Sequence, residues 1–164
     1  MKESVFGALG AARLAGARVL DGYAGSGALG IESLSRGAAR ATLVDRDPRA
    51  VDAIRRNLTS TRLADRATVH RRGFGGFLLG RPPADPFDVV FLDPPYDLAG
   101  SELARILALL AAPGWLAPDA GVVIERSAAV GPPTLPDGWR VSWERVYGDT
   151  LVVLTGPDAG DRTA

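Results

Sequence analysis

The stretch Phe87-Asp88-Val89-Val90-Phe91-Leu92, closed by Asp93-Pro94-Pro95-Tyr96, sets the tightest limit on how this chain can fold. The run is almost continuously apolar, whereas a strand with one wet face alternates apolar and polar positions. It therefore reads as a strand buried on both faces, as in a parallel sheet sandwiched between helices. The rest of the chain agrees. Short apolar runs at 17–20, 41–44, 67–70 and 121–125 alternate with helical stretches at 28–36, 47–58 and 101–112, the signature of βαβ units. Asp47-Pro48 supplies an N-cap acid and a proline at the first helical position. Residues 2–14 read as one amphipathic helix with Val5, Phe6 and Leu9 on a single face, and 101–112 as another with Leu103, Ile106, Leu107 and Leu110 inward.

The ending differs. Beyond Pro132, Pro133 and Pro136, two strands at 140–147 and 150–155 meet at Gly148-Asp149, a connection short enough only for an antiparallel hairpin. The expected architecture is one α/β domain over residues 1–156. Its seven-stranded sheet is mostly parallel with an antiparallel C-terminal hairpin, and a flexible tail follows over 157–164.

Composition removes several classes of function. With 164 residues, 46% of them hydrophobic, the chain can bury a core of its own and is no disordered tail. No apolar run approaches the ~20 residues of a membrane span. The most apolar stretch, 103–112, carries Arg105, and no signal peptide opens the chain, so no membrane and a cytoplasmic place are expected. The absence of cysteine excludes disulfides, a thiolate nucleophile and a Cys-based zinc site. A single histidine, His70, argues against a Ser-His-Asp triad or a multi-histidine metal centre, and no metal is expected. Net charge is zero but unevenly spread. Residues 36–81 hold eleven Arg against four acids, and residues 82–164 five Arg against twelve. Such asymmetry suits an anion-binding surface, or else solvated helix faces in an Arg-rich chain.

The segment Val19-Leu20-Asp21-Gly22-Tyr23-Ala24-Gly25-Ser26-Gly27-Ala28-Leu29-Gly30 runs from strand to helix and matches the G-x-G-x-x-G dinucleotide pattern. Gly25 and Gly27 let backbone come close to a ligand. Asp45, 20 residues after Gly25, stands where a ribose-hydroxyl acceptor belongs. A turn glycine-rich for tight packing alone is the alternative. Two cofactors compete at this point. A nicotinamide dinucleotide would set its pyrophosphate on the helix start. S-adenosylmethionine has no phosphate and carries an ammonium, for which Asp21 is an acceptor, directly or through water.

Asp93-Pro94-Pro95-Tyr96 discriminates between them. It follows a buried strand at the edge of the sheet where ligands bind. Two prolines stiffen the loop and remove two backbone donors, leaving carbonyls as acceptors. An exocyclic amine on a nucleobase is a poor nucleophile because its lone pair is delocalised into the ring. The Asp93 carboxylate and Pro94 carbonyl can accept both amine hydrogens and aim a more pyramidal nitrogen at a methyl donor. Tyr96 can stack on a flipped base, and Pro95 borders it. A nicotinamide oxidoreductase has no use for this tetrapeptide, so S-adenosylmethionine is the expected cofactor.

These motifs resemble the RsmD family, bacterial enzymes that methylate the exocyclic N2 amine of a guanine in 16S ribosomal RNA. The likeness spans Lys2-Glu3-Ser4-Val5-Phe6, the run from Leu20 to Gly37, Asp93 to Tyr96, Gly114-Trp115-Leu116, Ile124-Glu125-Arg126 and Leu135-Pro136-Asp137-Gly138-Trp139. It implies a Rossmann-like class I methyltransferase fold and, as partner, ribosomal RNA in the small subunit or its assembly intermediate. Asp-Pro-Pro-Tyr also occurs in DNA adenine methyltransferases, which leaves a DNA amino-methyltransferase as an alternative. A non-catalytic RNA-binding assembly protein is the other. The family has a basic N-terminal extension before the position of Lys2, where Met1 here stands in place of Val. A mis-assigned start codon and a truncation are the two explanations, and loss of the extension would impair RNA binding. Where the family tends to place Asp or Asn near the adenine, this chain has Arg71-Arg72-Gly73-Phe74. Gly73 then offers only its backbone and Phe74 a packing surface.

The remaining polar and aromatic residues divide more simply. Arg71 and Arg72 flank the expected pocket and suit phosphate contact. Tyr23 is expected to pack under the turn or line the site, Glu32 to pair with Arg36, and His70 to be structural. Trp115, Trp139 and Trp143 suit the core or the hairpin. Nothing suggests a coiled coil, and a monomer is expected.

Overall fold

The computed structural model of the protein describes residues 2–160. The chain runs α1 (Lys2–Leu9), α2 (Ala11–Leu14), β1 (Arg18–Asp21), α3 (Ala28–Ser35), β2 (Arg40–Asp45), α4 (Pro48–Ser60), β3 (Ala67–Arg71) and α5 (Phe74–Leu78). It continues through β4 (Phe87–Leu92), α6 (Gly100–Leu110), β5 (Leu116–Ser127), β6 (Trp139–Tyr147) and β7 (Thr150–Pro157), with short 3₁₀ turns at Ala64–Arg66 and Ala128–Val130. All seven strands form one sheet in the order β3-β2-β1-β4-β5-β7-β6. The first five strands are mutually parallel, while β7 is antiparallel to both β5 and β6.

Strand β4 lies near the middle and is buried as its composition demands. Val89 and Phe91 face a layer formed by α1, α2, α3 and α4, whereas Val90 and Leu92 face α5 and α6. Each such side chain, fully withdrawn from water, stabilises the fold by about 1.5–3 kcal/mol relative to exposure. Helix α4 forms where its cap is built: Asp47 accepts a hydrogen bond from the Arg49 N–H at 2.9 Å, and Val51, Ile54 and Leu58 supply the buried stripe.

Four boundaries differ from expectation. The single helix over 2–14 is broken at Gly10, whose φ of 81° no helix accommodates. Helix α5 occupies residues expected to be loop; Phe74 and Leu78 anchor it against α6 despite Gly75 and Gly76 inside it. Strand β5 begins five residues early, because Leu116 already pairs with Phe87 before the register shifts. In the expected tail, Pro157 still belongs to β7, and Asp158 bonds to the Gly138 carbonyl and pairs with Arg140 at 2.9 Å. Positions 161–164 lie outside the described residues. Among the described residues, no helix is long and apolar enough to cross a membrane.

Candidate active site

In a parallel sheet all carboxyl ends point to one edge, and β2, β1 and β4 are neighbours in this one. Asp21 ends β1, Asp45 ends β2 and Asp93 follows β4, so three acids far apart in sequence meet at that edge. The chain turns toward β2 on one side of β1 and later returns on the other as β4. This is the switch point at which open α/β sheets bind ligands.

The turn between β1 and α3 is clamped by backbone and by one side chain. The Gly22 N–H donates to the Phe91 carbonyl and the Ala24 N–H to that of Val44, each at 3.0 Å. Asp45 accepts from the Gly25 N–H on Oδ2 and from the Asp47 N–H on Oδ1, both at 2.9 Å. Each of these oxygens keeps a lone pair for a further donor. The glycines have distinct duties. Gly25, at φ 57°, has no atom of the described residues beyond its chain neighbours within 4 Å of where a Cβ would stand, leaving its face open to the cleft. Gly27, at φ 84°, enters the helix in the left-handed region and faces Leu43 and Ile31, not the cleft. At Gly30 a Cβ would stand 2.9 Å from Leu43 Cδ2, so this glycine allows α3 to press onto β2.

A cavity of about 810 Å³ opens beside this turn, within the size range of small-molecule sites. Among the expected residues, Tyr23, Gly25, Asp45, Arg72, Gly73, Phe74, Asp93 and Pro95 line it. Asp21 does not. It lies beneath the turn, 3% exposed, with Oδ2 accepting from the Gly30 N–H at 3.2 Å. Burial pushes its carboxyl up to about 7; the Gly30 bond opposes this, and the nearby charges of Asp93, Asp45 and Glu125 reinforce it. Loss of water in the cleft also raises the Asp93 carboxyl. Phe74 is buried and meets Tyr23 edge-on at 5.5 Å between ring centroids. Burial, with Glu102 nearby, pushes the Tyr23 hydroxyl up to about 12. Tyr23 thus both packs against its neighbour and lines the cavity.

The stiff loop after β4 divides this cavity from a second hollow of about 380 Å³. Pro95 borders both, while Pro94 and Tyr96 face the second. Tyr96 is 76% exposed, and its hydroxyl shares a hydrogen bond with Thr150 Oγ1 at 3.3 Å. Arg71 is exposed at the end of β3 and lines neither hollow.

Sequence reasoning missed Arg46, Glu102 and Arg105 in the cavity wall and the acid Glu125 near it. Glu125 is buried at the end of an apolar run, its carboxyl pushed up to about 7 by desolvation and by Asp93. An acid closing a buried strand was the available signal. The other assignments follow expectation. His70 packs on Phe77 at 5.2 Å, Glu32 pairs with Arg36 at 2.9 Å, and Trp115 is buried against Phe77.

Sheet order, switch-point cavity and paired strand-end acids define a Rossmann-like fold of the class I methyltransferase type. The chain belongs to the RsmD family, whose family model, described as Conserved hypothetical protein 95, matches residues 1–156. It is 35% identical over 154 residues to "Ribosomal RNA small subunit methyltransferase D" of Escherichia coli (strain K12), an alignment covering 94% of this chain and 75% of that one. A solved structure described as a conserved hypothetical protein of Streptococcus pyogenes superposes with a TM-score of 0.87 at 29% identity, covering 99% of this chain and 98% of that one. An RNA methyltransferase from Salinibacter ruber, solved with S-adenosyl-L-homocysteine, shares the fold at a TM-score of 0.68 and 20% identity, over 96% of this chain and 93% of that one.

Proposed function

We propose that this protein transfers a methyl group from S-adenosylmethionine to the exocyclic N2 amine of a guanine in 16S ribosomal RNA, within the small subunit or its assembly intermediate. The observation that carries the reading is the position of Asp93 on the wall of the same cavity as Gly25 and Asp45. A base held on Pro94 and Tyr96 in the adjoining hollow would present its amine past Pro95, which borders both hollows, to Asp93 and to a ligand lying along the glycine turn. The reading sets the enzyme in the cytoplasm, where small subunits assemble, as a monomer.

The residues present suit the cofactor chemically. Gly25 gives it room, and Asp45 keeps free lone pairs toward ribose hydroxyls. Asp21, beneath the turn, has Oδ1 left to reach the ammonium through water, and a nearby cation draws its raised carboxyl toward the ionised form. Tyr23 and Phe74 form an apolar wall for a ring, and Gly73 offers backbone in place of an acceptor side chain. When bound, S-adenosylmethionine supplies an electrophilic methyl group on a positively charged sulfur.

The protein's own task is positioning. The Asp93 carboxylate and the Pro94 carbonyl accept the two amine hydrogens and direct the nitrogen lone pair into the larger cavity. Proline at 94 and 95 keeps this pair of acceptors stiff, so little order is lost when the base arrives. Tyr96 stacks on the flipped base, a contact worth ~1–3 kcal/mol, while its hydroxyl stays tethered to Thr150. Arg72, at the rim, faces the RNA backbone.

The test combines the protein, labelled S-adenosylmethionine and small-subunit particles from cells lacking this gene, with nucleoside mass spectrometry of the RNA. N2-methylguanosine is the expected product. Label recovered as N6-methyladenine in DNA would favour a DNA amino-methyltransferase instead. Calorimetry that finds no cofactor binding at millimolar concentration would mark a non-catalytic RNA-binding protein.

A further inference from the structure

Arg126 has no place in the chemistry above, and its surroundings are unusual. It sits at the end of β5 in the acidic part of the chain, residues 82–164, where twelve acids outnumber five Arg. Arg18, Arg36, Arg105 and Arg140 each pair with a carboxylate. Arg126 pairs with none among the described residues, and its Nε is buried without a hydrogen-bond partner. A buried guanidinium N–H without an acceptor is costly unless something outside the chain supplies one.

The place where an acceptor would enter is defined. Arg126 lines the second hollow, between the Pro94–Tyr96 side of the stiff loop, the start of α6 and the 3₁₀ turn Ala128–Val130. One terminal nitrogen of its guanidinium lies 3.8 Å from the position of a Cβ on Gly100. Ser127 holds the 3₁₀ turn by accepting from the Ala129 N–H at 3.3 Å, which sets Val130, 60% exposed, at the rim. Tyr96, the proposed stacking ring, borders the same hollow. A nucleotide pairs an aromatic base with an anionic phosphate across one ribose. The hollow likewise joins an exposed aromatic ring to an unpaired, fork-shaped cation, and Arg meets phosphate with two parallel hydrogen bonds.

We propose that Arg126 contacts an RNA backbone phosphate, and that the second hollow receives the sugar-phosphate of the nucleotide whose base lies on Tyr96. This rests on the RNA reading above and adds to it a strand-delivery site on the side of the loop away from the cofactor.

The test is direct RNA binding, separate from methyl transfer. A fluorescein-labelled single-stranded 20-mer RNA is titrated with the full chain by anisotropy between 50 and 300 mM KCl. Arg126→Gln is expected to weaken binding several-fold and to lower the slope of log Kd against log salt by about 0.7, the value for one phosphate on a single strand. Arg126→Lys keeps the slope. Val130→Glu leaves Arg126 intact but sets a carboxylate at the rim, so it also weakens binding and decides the matter should Arg126→Gln fold poorly. Arg140→Gln, paired elsewhere with Asp158, serves as the surface control. Cofactor affinity stays at the wild-type value in all four variants. Wild-type affinity and slope in Arg126→Gln together with wild-type affinity in Val130→Glu, or a wild-type protein that binds no RNA, would overturn the phosphate contact. Arg126-dependent RNA binding in a protein that methylates no small-subunit RNA would leave the contact standing and remove the proposed reaction.

Discussion

Asp21→Asn tests the electrostatics under the glycine turn. The wild-type carboxyl titrates near 7 in the folded chain, against about 3.9 in an unfolded one. A carboxyl raised by folding binds more protons in the native state, so stability is fully present below pH 4 and is lost as pH rises toward 7. At about 1.36 kcal/mol per pH unit across some three units, the loss is roughly 4 kcal/mol, complete a little above pH 7. Asn cannot ionise, and its side-chain oxygen can still accept from the Gly30 N–H, so the variant avoids this loss. Glu125 titrates with the same sign but is present in both proteins and cancels to first order. Urea denaturation followed by tryptophan fluorescence at pH 5, 6, 7 and 8 gives the two curves. The stability of the variant relative to wild type is expected to rise steadily between pH 5 and 7 and then level off. A difference that stays constant over this range, or falls, would refute the burial argument.

Two further substitutions probe the site and its support. Asp93→Ala is expected to lower methyl transfer by about 10²-fold or more, as when one positioned hydrogen-bonding group is removed from an active site. Calorimetry should find cofactor affinity nearly intact; equal loss of both would make Asp93 a scaffold residue. Gly30→Ala brings a Cβ to 2.9 Å from Leu43, and overpacking of this kind costs about 1–3 kcal/mol. An unchanged denaturation midpoint would show that α3 can shift away from β2 freely.

Residues whose chemistry is local were legible in the sequence. The continuous run in β4, the cap at Asp47 and the pairing of Glu32 with Arg36 each follow from neighbours a few positions away, and each is found in place. Asp45 and Asp93 were legible because a strand's carboxyl end can be recognised without knowing its partners. What depends on distant packing was not. Phe-Gly-Gly-Phe-Leu has too much glycine to read as a helix, and packing against α6 and the sheet is what stabilises α5. Leu116 joins β5 because Phe87 lies opposite, although Pro118 and Asp119 interrupt the apolar pattern. Gly27 looked like a contact for ligand, yet its duty is set by Leu43, Ile31 and Ile54, none visible from the glycine motif itself.

The tether from Tyr96 to Thr150 gives the edge hairpin an unexpected responsibility. Thr150 is the first residue of β7, directly beyond Gly148-Asp149, and the Asp149 carbonyl in turn accepts from the Ala128 N–H at 2.7 Å. Hairpin tips are usually where a sheet tolerates extra residues without consequence. Here the residue just past the tip, fixed opposite Ser127 of β5, holds the tyrosine hydroxyl, so Thr150→Val would release the ring although the substitution touches neither cavity. The side chain that opens this strand is thereby tied to the posture of the ring on which the base is proposed to lie.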